Sequence, residues 1–78
     1  MSEYSLSALR VGQSAYVAEI QADEAMRRRL LDLGLIRGTR VTCTAKSPAG
    51  DPAAYLIRGA VIALRKSDAA QIEVGVVP

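Results

Sequence analysis

The chain has 78 residues, half of them apolar, a net charge of +2, one cysteine and no histidine. A chain of this length has room for one small core, so we expect residues 1–78 to form a single domain. The lone cysteine excludes an intramolecular disulfide and a cysteine-based zinc site within one chain. Without histidine, acid–base chemistry would depend on carboxylates and tyrosines, and the carboxylates lie at caps, turns and solvated faces. We therefore predict no enzyme activity, no catalytic residue, no cofactor and no set of metal ligands.

The composition also favours a reducing, cytoplasmic setting. The N-terminal sequence Met-Ser-Glu-Tyr-Ser lacks the basic segment and apolar run of a signal peptide. No apolar stretch approaches the roughly 20 residues that span a bilayer. If the protein works at a membrane, we expect it to do so by docking onto another protein.

The first segments predict a short turn followed by a strand. Leu6 and Leu9 lie three residues apart, which suits one helical or 3₁₀ turn, and Gly12 ends it. Residues 15–20 predict a strand with apolar residues on both sides. This segment alone does not define the inward side.

Residues 23–33 predict the one helix. Asp23 is a suitable N-cap, because its carboxylate can accept a hydrogen bond from a free amide of the first turn. Met26, Leu30 and Leu33 recur at i, i+4 and i+7 and therefore share one face. Gly34 follows the last turn, where a left-handed residue is favourable.

The helix and the segment after it hold the positive charge of the chain. Residues 24–46 contain six basic and two acidic residues, for a net charge of +4. Leu31 lies off the apolar stripe and near Arg27, which indicates either a wide stripe or an exposed contact. An arginine beside a leucine on the shoulder of a helix is typical of a docking surface.

The following segments predict strands separated by turns. In residues 39–46, Val41, Cys43 and Ala45 alternate with polar residues, which predicts a half-buried strand with Cys43 in the core. Residues 47–52, Ser-Pro-Ala-Gly-Asp-Pro, form a turn cluster. Residues 53–58 predict the return strand, with Tyr55 and Ile57 on one side, and Gly59 indicates a bulge or sharp bend.

The chain is predicted to close with two more strands. Residues 60–65, rich in apolar and β-branched side chains, predict one strand. Residues 67–70 suit a single helical turn. Residues 71–77 predict the last strand, with Ile72, Val74 and Val76 on one face. The total is about five short strands with one inserted helix. This mainly β pattern favours an SH3-like small barrel, with an OB-like barrel as the second choice. The expected core consists of Met26, Leu30, Leu33, Val41, Ile57, Ile62, Leu64, Ile72 and Val74.

Four motifs in order resemble the FeoA family, small cytosolic proteins of bacterial ferrous-iron uptake. They are residues 6–12 (Leu-Ser-Ala-Leu-Arg-Val-Gly), 29–39 (Arg-Leu-Leu-Asp-Leu-Gly-Leu-Ile-Arg-Gly-Thr), the turn at 47–52, and 58–65 with Asp68 and Ala69. Arg37 stands where the family usually has proline, Ala49 where leucine is common, and Asp68 where glutamate is common. Ala49 offers less apolar surface if the tip of the turn is a docking point.

The resemblance implies an SH3-like barrel that assists an FeoB-type permease, a membrane protein with a cytoplasmic GTPase domain. It implies a non-enzymatic protein that acts by protein–protein contact and is recruited to the inner face of the membrane by its partner. Activation, inhibition and scaffolding of the GTPase all remain open, as does direct binding of Fe²⁺. The helix and the 47–52 turn are the expected contact surfaces, and the residues are Arg27, Arg28, Leu31, Arg37, Pro48, Ala49 and Asp51.

Two other classes of function fit the sequence less well. Barrels related to this one occur as C-terminal domains of iron-dependent repressors, but the sequence has no DNA-reading helix pair and no histidine-rich metal site. A small nucleic-acid-binding barrel would need aromatic residues in its basic segment, and Tyr4, Tyr16 and Tyr55 all lie outside it. We expect no nucleic-acid partner.

Overall fold

The computed structural model describes residues 4–77 and consists of one antiparallel sheet with two short helices. The elements in chain order are β1 (Tyr4–Ser5), a 3₁₀ turn (Leu6–Ala8), β2 (Ser14–Ile20), α1 (Glu24–Asp32), β3 (Arg40–Lys46), β4 (Ala53–Ile57), β5 (Ala60–Leu64), α2 (Lys66–Ala69) and β6 (Ile72–Gly75). The mainly β architecture with one helix inserted after a strand is confirmed. The sheet has six strands instead of about five, because β1 adds a two-residue strand too short to show an alternating pattern.

The six strands lie in the order β1-β6-β2-β3-β4-β5, and all neighbours are antiparallel. Within residues 4–77, β1 and β5 are the two edges and do not pair with each other, so the barrel is open. The core gathers buried side chains from β2 to β6 and from Leu30 of α1. Leu6 of the 3₁₀ turn and Leu9, which directly follows that turn, are fully buried.

Two bulges interrupt the alternation of buried and exposed side chains along the strands. In β2 the register shifts between Val17 and Glu19, so that Val17 and Ile20 are both buried although they lie three positions apart in the chain. In β3 the register shifts between Cys43 and Ala45. Cys43 is buried as predicted, whereas the prediction that Ala45 shares its side is wrong, because the shift turns Ala45 to solvent.

The expected core is largely confirmed. Six of its nine residues are buried, and Met26, Leu33 and Ile62 are half-buried against them. Val76, expected on the same face as Ile72 and Val74, is 51% exposed because β6 ends at Gly75. Besides Cys43, which is buried as predicted, the structure adds to the core Leu6, Leu9, Ala15, Val17, Ile20, Leu35, Ala53, Tyr55 and Ala69.

Both ends of α1 have the predicted caps. The Asp23 carboxylate accepts a hydrogen bond from the Met26 amide at 2.9 Å. At the other end, the Leu35 amide donates to the Leu30 carbonyl at 3.1 Å and the Gly34 amide to the Leu31 carbonyl at 2.9 Å. With φ of +98° at Gly34, these two bonds form a Schellman motif, which turns the chain so that Leu35 enters the core.

The chain turns sharply at Gly59, which is one of the two predicted alternatives, and Arg58, predicted to lie in the return strand, belongs to the turn. Ile57 pairs with Ala60, so Arg58 and Gly59 form a two-residue hairpin loop. Their φ angles are +49° and +84°, both positive, as a type I′ turn requires. The sharp reversal follows from this turn, with an arginine at a position that usually holds asparagine, aspartate or glycine.

Candidate functional site

A depression of about 120 Å³ lies between α1, the end of β2 and the loop that leaves the helix. Arg27 and Leu31 line it from α1, and Arg37 from the exit loop. The exit loop is tied to β2 by hydrogen bonds from the Gly38 amide to the Val17 carbonyl (2.7 Å) and from the Val17 amide to the Thr39 carbonyl (2.9 Å). Three residues predicted to contact a partner therefore share one depression, which we call the helix depression. Its lining also includes Val17, Ala18, Glu19, Ile20 and Leu35.

Leu31 is exposed, with 39% of its surface accessible, whereas its neighbour Leu30 is 1% exposed. This contrast decides between the two interpretations of Leu31: the apolar stripe is narrow, and Leu31 lies outside it. Arg27 lies beside Leu31, and its Nη1 donates to the Ile20 carbonyl at 3.4 Å. That bond directs Arg27 from the helix towards the end of β2.

Arg28 has a different environment from Arg27. Its guanidinium lies 3.9 Å from the Glu24 carboxylate, and both side chains are largely exposed, so the pair contributes little to stability. Arg28 lines a second, more open depression of about 460 Å³ on the outer side of α1 with Glu24, Arg27, Leu31 and Asp32. In this outer depression, the carboxylates of Glu24 and Asp32 balance the two arginines. In the helix depression, Glu19 is the one carboxylate that lines the site with Arg27 and Arg37.

The exit loop adds one residue that sequence reasoning missed. Ile36 is 47% exposed and directly precedes Arg37. The Schellman motif turns Leu35 into the core, and the next residue, Ile36, is therefore left exposed. The sequence signal was the pair of adjacent apolar residues after Gly34, of which only one can enter the core.

The other predicted contact region is the loop between β3 and β4. Pro48, Ala49 and Asp51 are exposed there, but they line neither depression beside α1. The Asp51 carboxylate accepts a hydrogen bond from the Lys66 amide at 2.9 Å, so Asp51 caps the short helix α2. Asp51 therefore has a role in the fold, and the structure does not bring the seven predicted contact residues into one depression.

The described chain offers no assembled ligand set for a metal. Within residues 4–77, no three histidine, cysteine, aspartate or glutamate side chains come together in a way that could hold an ion. Cys43 is buried opposite Tyr55 in the β3–β4 pair. Burial raises the pKa of the Tyr55 phenol to about 12, with a smaller contribution from Cys43, so Tyr55 is neutral at physiological pH. Both residues serve as core side chains.

Within residues 4–77, no helix combines the length and the apolar character that a membrane span requires.

The fold and the helix depression define a small, SH3-like β domain whose helix presents a basic and apolar surface. The family model of the FeoA domain matches residues 4–76, and the chain belongs to this family. The resemblance carried by the four sequence motifs is therefore confirmed.

One curated relative connects the family to ferrous iron transport. The chain is 35% identical over 69 residues to a fusion protein of Fe(2+) transport protein A and Fe(2+) transporter FeoB from Porphyromonas gingivalis strain W83. The match covers 88% of this chain and 8% of that protein, so the chain spans only a small part of the relative's length.

Two solved structures place the fold. The crystal structure of Stenotrophomonas maltophilia FeoA in complex with zinc, described as a prokaryotic SH3 domain protein, is 36% identical and has a TM-score of 0.80, covering 90% of this chain and 87% of that one. This similarity confirms the SH3-like prediction. A manganese-dependent transcriptional repressor in complex with manganese is 26% identical with a TM-score of 0.88, covering 99% of this chain and 38% of the repressor. The likeness to repressor domains expected from the sequence is thus present.

Proposed function

We propose that this chain is a non-enzymatic accessory protein of ferrous iron uptake that acts by contact with an FeoB-type permease on the cytoplasmic side of the membrane. The observation that carries the proposal is the Porphyromonas gingivalis relative, in which a segment 35% identical to this chain is joined to an FeoB transporter. Joining two modules in one chain holds them at a high effective concentration, which benefits modules that bind each other. The membership of the FeoA family supports the same assignment.

We place the contact at the helix depression. Arg27 and Arg37 supply guanidinium groups that can pair with carboxylates in a planar, bidentate geometry, and Leu31 supplies an exposed apolar side chain in the same depression. Arginine is enriched in protein–protein interfaces relative to the rest of the surface, and the centre of an interface is apolar. The expected partner surface is therefore acidic at its rim and apolar at its centre, and the permease's GTPase domain is the proposed location.

The test is a binding measurement with purified components. The 78-residue protein would be titrated against the soluble GTPase domain and against the full-length permease in detergent, each at low and moderate salt. We expect saturable binding to at least one of them. The double variant Arg27→Glu/Leu31→Ala should weaken binding about tenfold or more, since loss of a central anchor typically costs 2 kcal/mol or more.

A matched control separates the surface from general effects. Arg10→Glu/Val11→Ala makes a comparable charge reversal and apolar truncation elsewhere, and Val11 is 57% exposed. This control should bind as the wild type does, and both double variants should melt close to it. Equal binding by the two double variants would refute the helix depression as the contact. Absence of binding to both permease preparations would refute the function itself.

The effect on the partner is measured by GTP hydrolysis. A rise in the rate on adding the chain indicates activation, a fall indicates inhibition, and binding with an unchanged rate indicates scaffolding. If an effect is present, Arg27→Glu/Leu31→Ala should reduce it in parallel with binding.

A domain that works as part of a metal-dependent repressor is the second candidate, favoured by the TM-score of 0.88 to the manganese-dependent repressor. This candidate predicts that the chain does not bind the permease and that its interactions depend on a divalent metal. Repeating the permease binding measurement with and without Mn²⁺ distinguishes the two candidate functions.

A further inference from the structure

A depression of about 330 Å³ lies beside the turn between β4 and β5, and we call it the hairpin depression. Two arginines, two threonines, one leucine and one glycine line it: Thr39, Arg40, Thr42, Leu56, Arg58 and Gly59. It shares no residue with the helix depression. Among residues 4–77, no acidic side chain lines it, so its charge is entirely positive.

The two arginines of the hairpin depression follow the end of the β3–β4 ladder. Val41 pairs with Ile57, and Arg40 and Arg58 are the next residues beyond this pair. Both side chains are exposed, and neither guanidinium has an ion pair or a hydrogen bond with another residue in the range 4–77. Like charges that face each other across a strand pair are destabilising. The described chain therefore leaves two neighbouring positive charges uncompensated.

Contacts with neighbouring residues hold two of the donors in place. The Arg58 stem lies against Gly34, with its Cδ in the space that a side chain at Gly34 would occupy. The Thr42 hydroxyl is hydrogen-bonded to the Ser14 hydroxyl at 2.7 Å. When Ser14 donates this bond, the Thr42 proton is available to a ligand. A side chain that is already held by its surroundings loses less entropy on binding, so this packing favours a bound ligand.

The donors of the hairpin depression suit a phosphate group with two negative charges. A guanidinium binds phosphate oxygens through two parallel hydrogen bonds, and a threonine hydroxyl can donate one more. The two arginines match the charge of inorganic phosphate or of a phosphate monoester, whereas a carboxylate or a phosphodiester carries one charge only. Leu56, which is 39% exposed, adds one apolar wall to the depression.

We propose that the hairpin depression binds a phosphate dianion, either free or as the end group of a small phosphate ester. Arg40 and Arg58 donate to its charged oxygens. Thr39 and Thr42 supply further hydroxyl donors, and in an ester the remainder of the molecule lies on Leu56. Bound phosphate neutralises the two guanidinium charges, so the free energy of unfolding rises with phosphate concentration. This site does not rest on the proposed function.

The first test is an NMR titration of the ¹⁵N-labelled protein with sodium phosphate at pH 8 and constant ionic strength. Constant ionic strength keeps the screening of surface charge unchanged. We expect saturable shifts of the Arg40 and Arg58 Nε–H signals and of the Thr39 and Gly59 amides. Dimethyl phosphate, a singly charged diester, is the control. It should bind about tenfold more weakly or less, because it offers fewer charged oxygens to the donors.

Phenyl phosphate distinguishes the two sources of the dianion. It carries the same doubly charged group together with a flat apolar ring that would contact Leu56. Tighter binding than inorganic phosphate, with the difference lost in Leu56→Ala, assigns the site to a phosphate ester. Equal affinities of the two compounds assign it to free phosphate.

Protein variants locate the site. Arg40→Gln and Arg58→Asn should each weaken phosphate binding about tenfold or more, since each removes hydrogen bonds to a charged group. Asparagine at position 58 also suits the type I′ turn. Arg10→Gln is the matched control, because Arg10 is exposed and lies outside the depression, and it should bind as the wild type does.

Urea unfolding gives a second readout that a purely structural role of the arginines would not produce. Adding phosphate at constant ionic strength should stabilise the wild type and Arg10→Gln, and it should stabilise Arg40→Gln and Arg58→Asn much less. In phosphate-free buffer, the last two variants should be at least as stable as the wild type, because each removes one of two repelling charges.

Three results would overturn the proposal. They are the absence of saturable shifts with phosphate at the hairpin depression, equal affinities for inorganic phosphate and dimethyl phosphate, and equal losses of phosphate binding in Arg40→Gln, Arg58→Asn and Arg10→Gln.

Discussion

At the scale of single residues, the two adjacent leucines of α1 have opposite roles. Leu30 is 1% exposed and Leu31 is 39% exposed. We expect Leu30→Ala to cost about 2–5 kcal/mol of unfolding free energy, because it leaves a cavity under the helix, and Leu31→Ala to cost below about 1 kcal/mol. Urea unfolding of the two variants checks this. A similar loss in both would mean that Leu31 supports the core and that the helix depression lacks its apolar anchor.

A second prediction at this scale concerns pH and Tyr55. Burial raises the pKa of its phenol from 10.0 to about 12, with a smaller contribution from Cys43. The unfolded chain loses this proton near pH 10, whereas the folded chain holds it until about pH 12. The folded state thus binds more protons in this window, and the free energy of unfolding falls as pH rises through it, by at most about 1.4 kcal/mol per pH unit. Below pH 10, the contribution of Tyr55 to the free energy of unfolding is fully present.

The control for this prediction is Tyr55→Phe, measured by urea unfolding between pH 8 and 11.5. Other groups that titrate in this range contribute to both proteins, so the difference in slope between them reports Tyr55. Parallel slopes above pH 10 would show that Tyr55 is not the source.

At the scale of elements, the exit of α1 meets the turn between β4 and β5. A Cβ placed on Gly34 would stand 2.6 Å from Cδ of Arg58. We expect Gly34→Ala to lower the free energy of unfolding by about 1–2 kcal/mol, because alanine disfavours the left-handed backbone. We expect a further loss because the added Cβ displaces the Arg58 side chain. Gly38→Ala is the control, since Gly38 has φ of +88° but open space around its Cβ position.

Urea unfolding of both alanine variants, alone and with Arg58→Asn, forms a double-mutant cycle. The excess loss in Gly34→Ala over Gly38→Ala should shrink in the Arg58→Asn background. Equal losses in all backgrounds would mean that the helix exit and the turn are energetically independent.

At the scale of the whole molecule, the charge and aromatic pattern argue against a nucleic-acid partner. The net charge is +2, and the three tyrosines are buried or half-buried, so no exposed ring offers a base-stacking platform within residues 4–77. We expect filter binding to single-stranded DNA to be weak at 50 mM salt and lost by about 200 mM, since phosphate contacts weaken steeply with salt. Retention at the higher concentration would contradict this and favour the nucleic-acid-binding barrel.

The features that depend on near neighbours in the chain could be predicted from the amino-acid sequence. The Asp23 cap, the Met26–Leu30–Leu33 stripe and the Gly34 exit were predictable because a helix end is satisfied by side chains a few residues away. The alternation in β4 and the four family motifs also depend on residues that are close in the chain. Together these local features were enough to predict the class of fold and to indicate the helix as a candidate contact surface.

The features that depend on pairing between distant segments could be read only from the fold. The bulges in β2 and β3 change which side chains face the core, and a register shift is a property of two strands together. The exposure of Leu31 depends on how α1 lies over the sheet. The helix depression joins residues from α1, β2 and the exit loop, and the hairpin depression joins residues from β3, β4 and the turn after β4. Such features arise from contacts between residues far apart in the chain, and a periodic pattern within one segment carries no information about them.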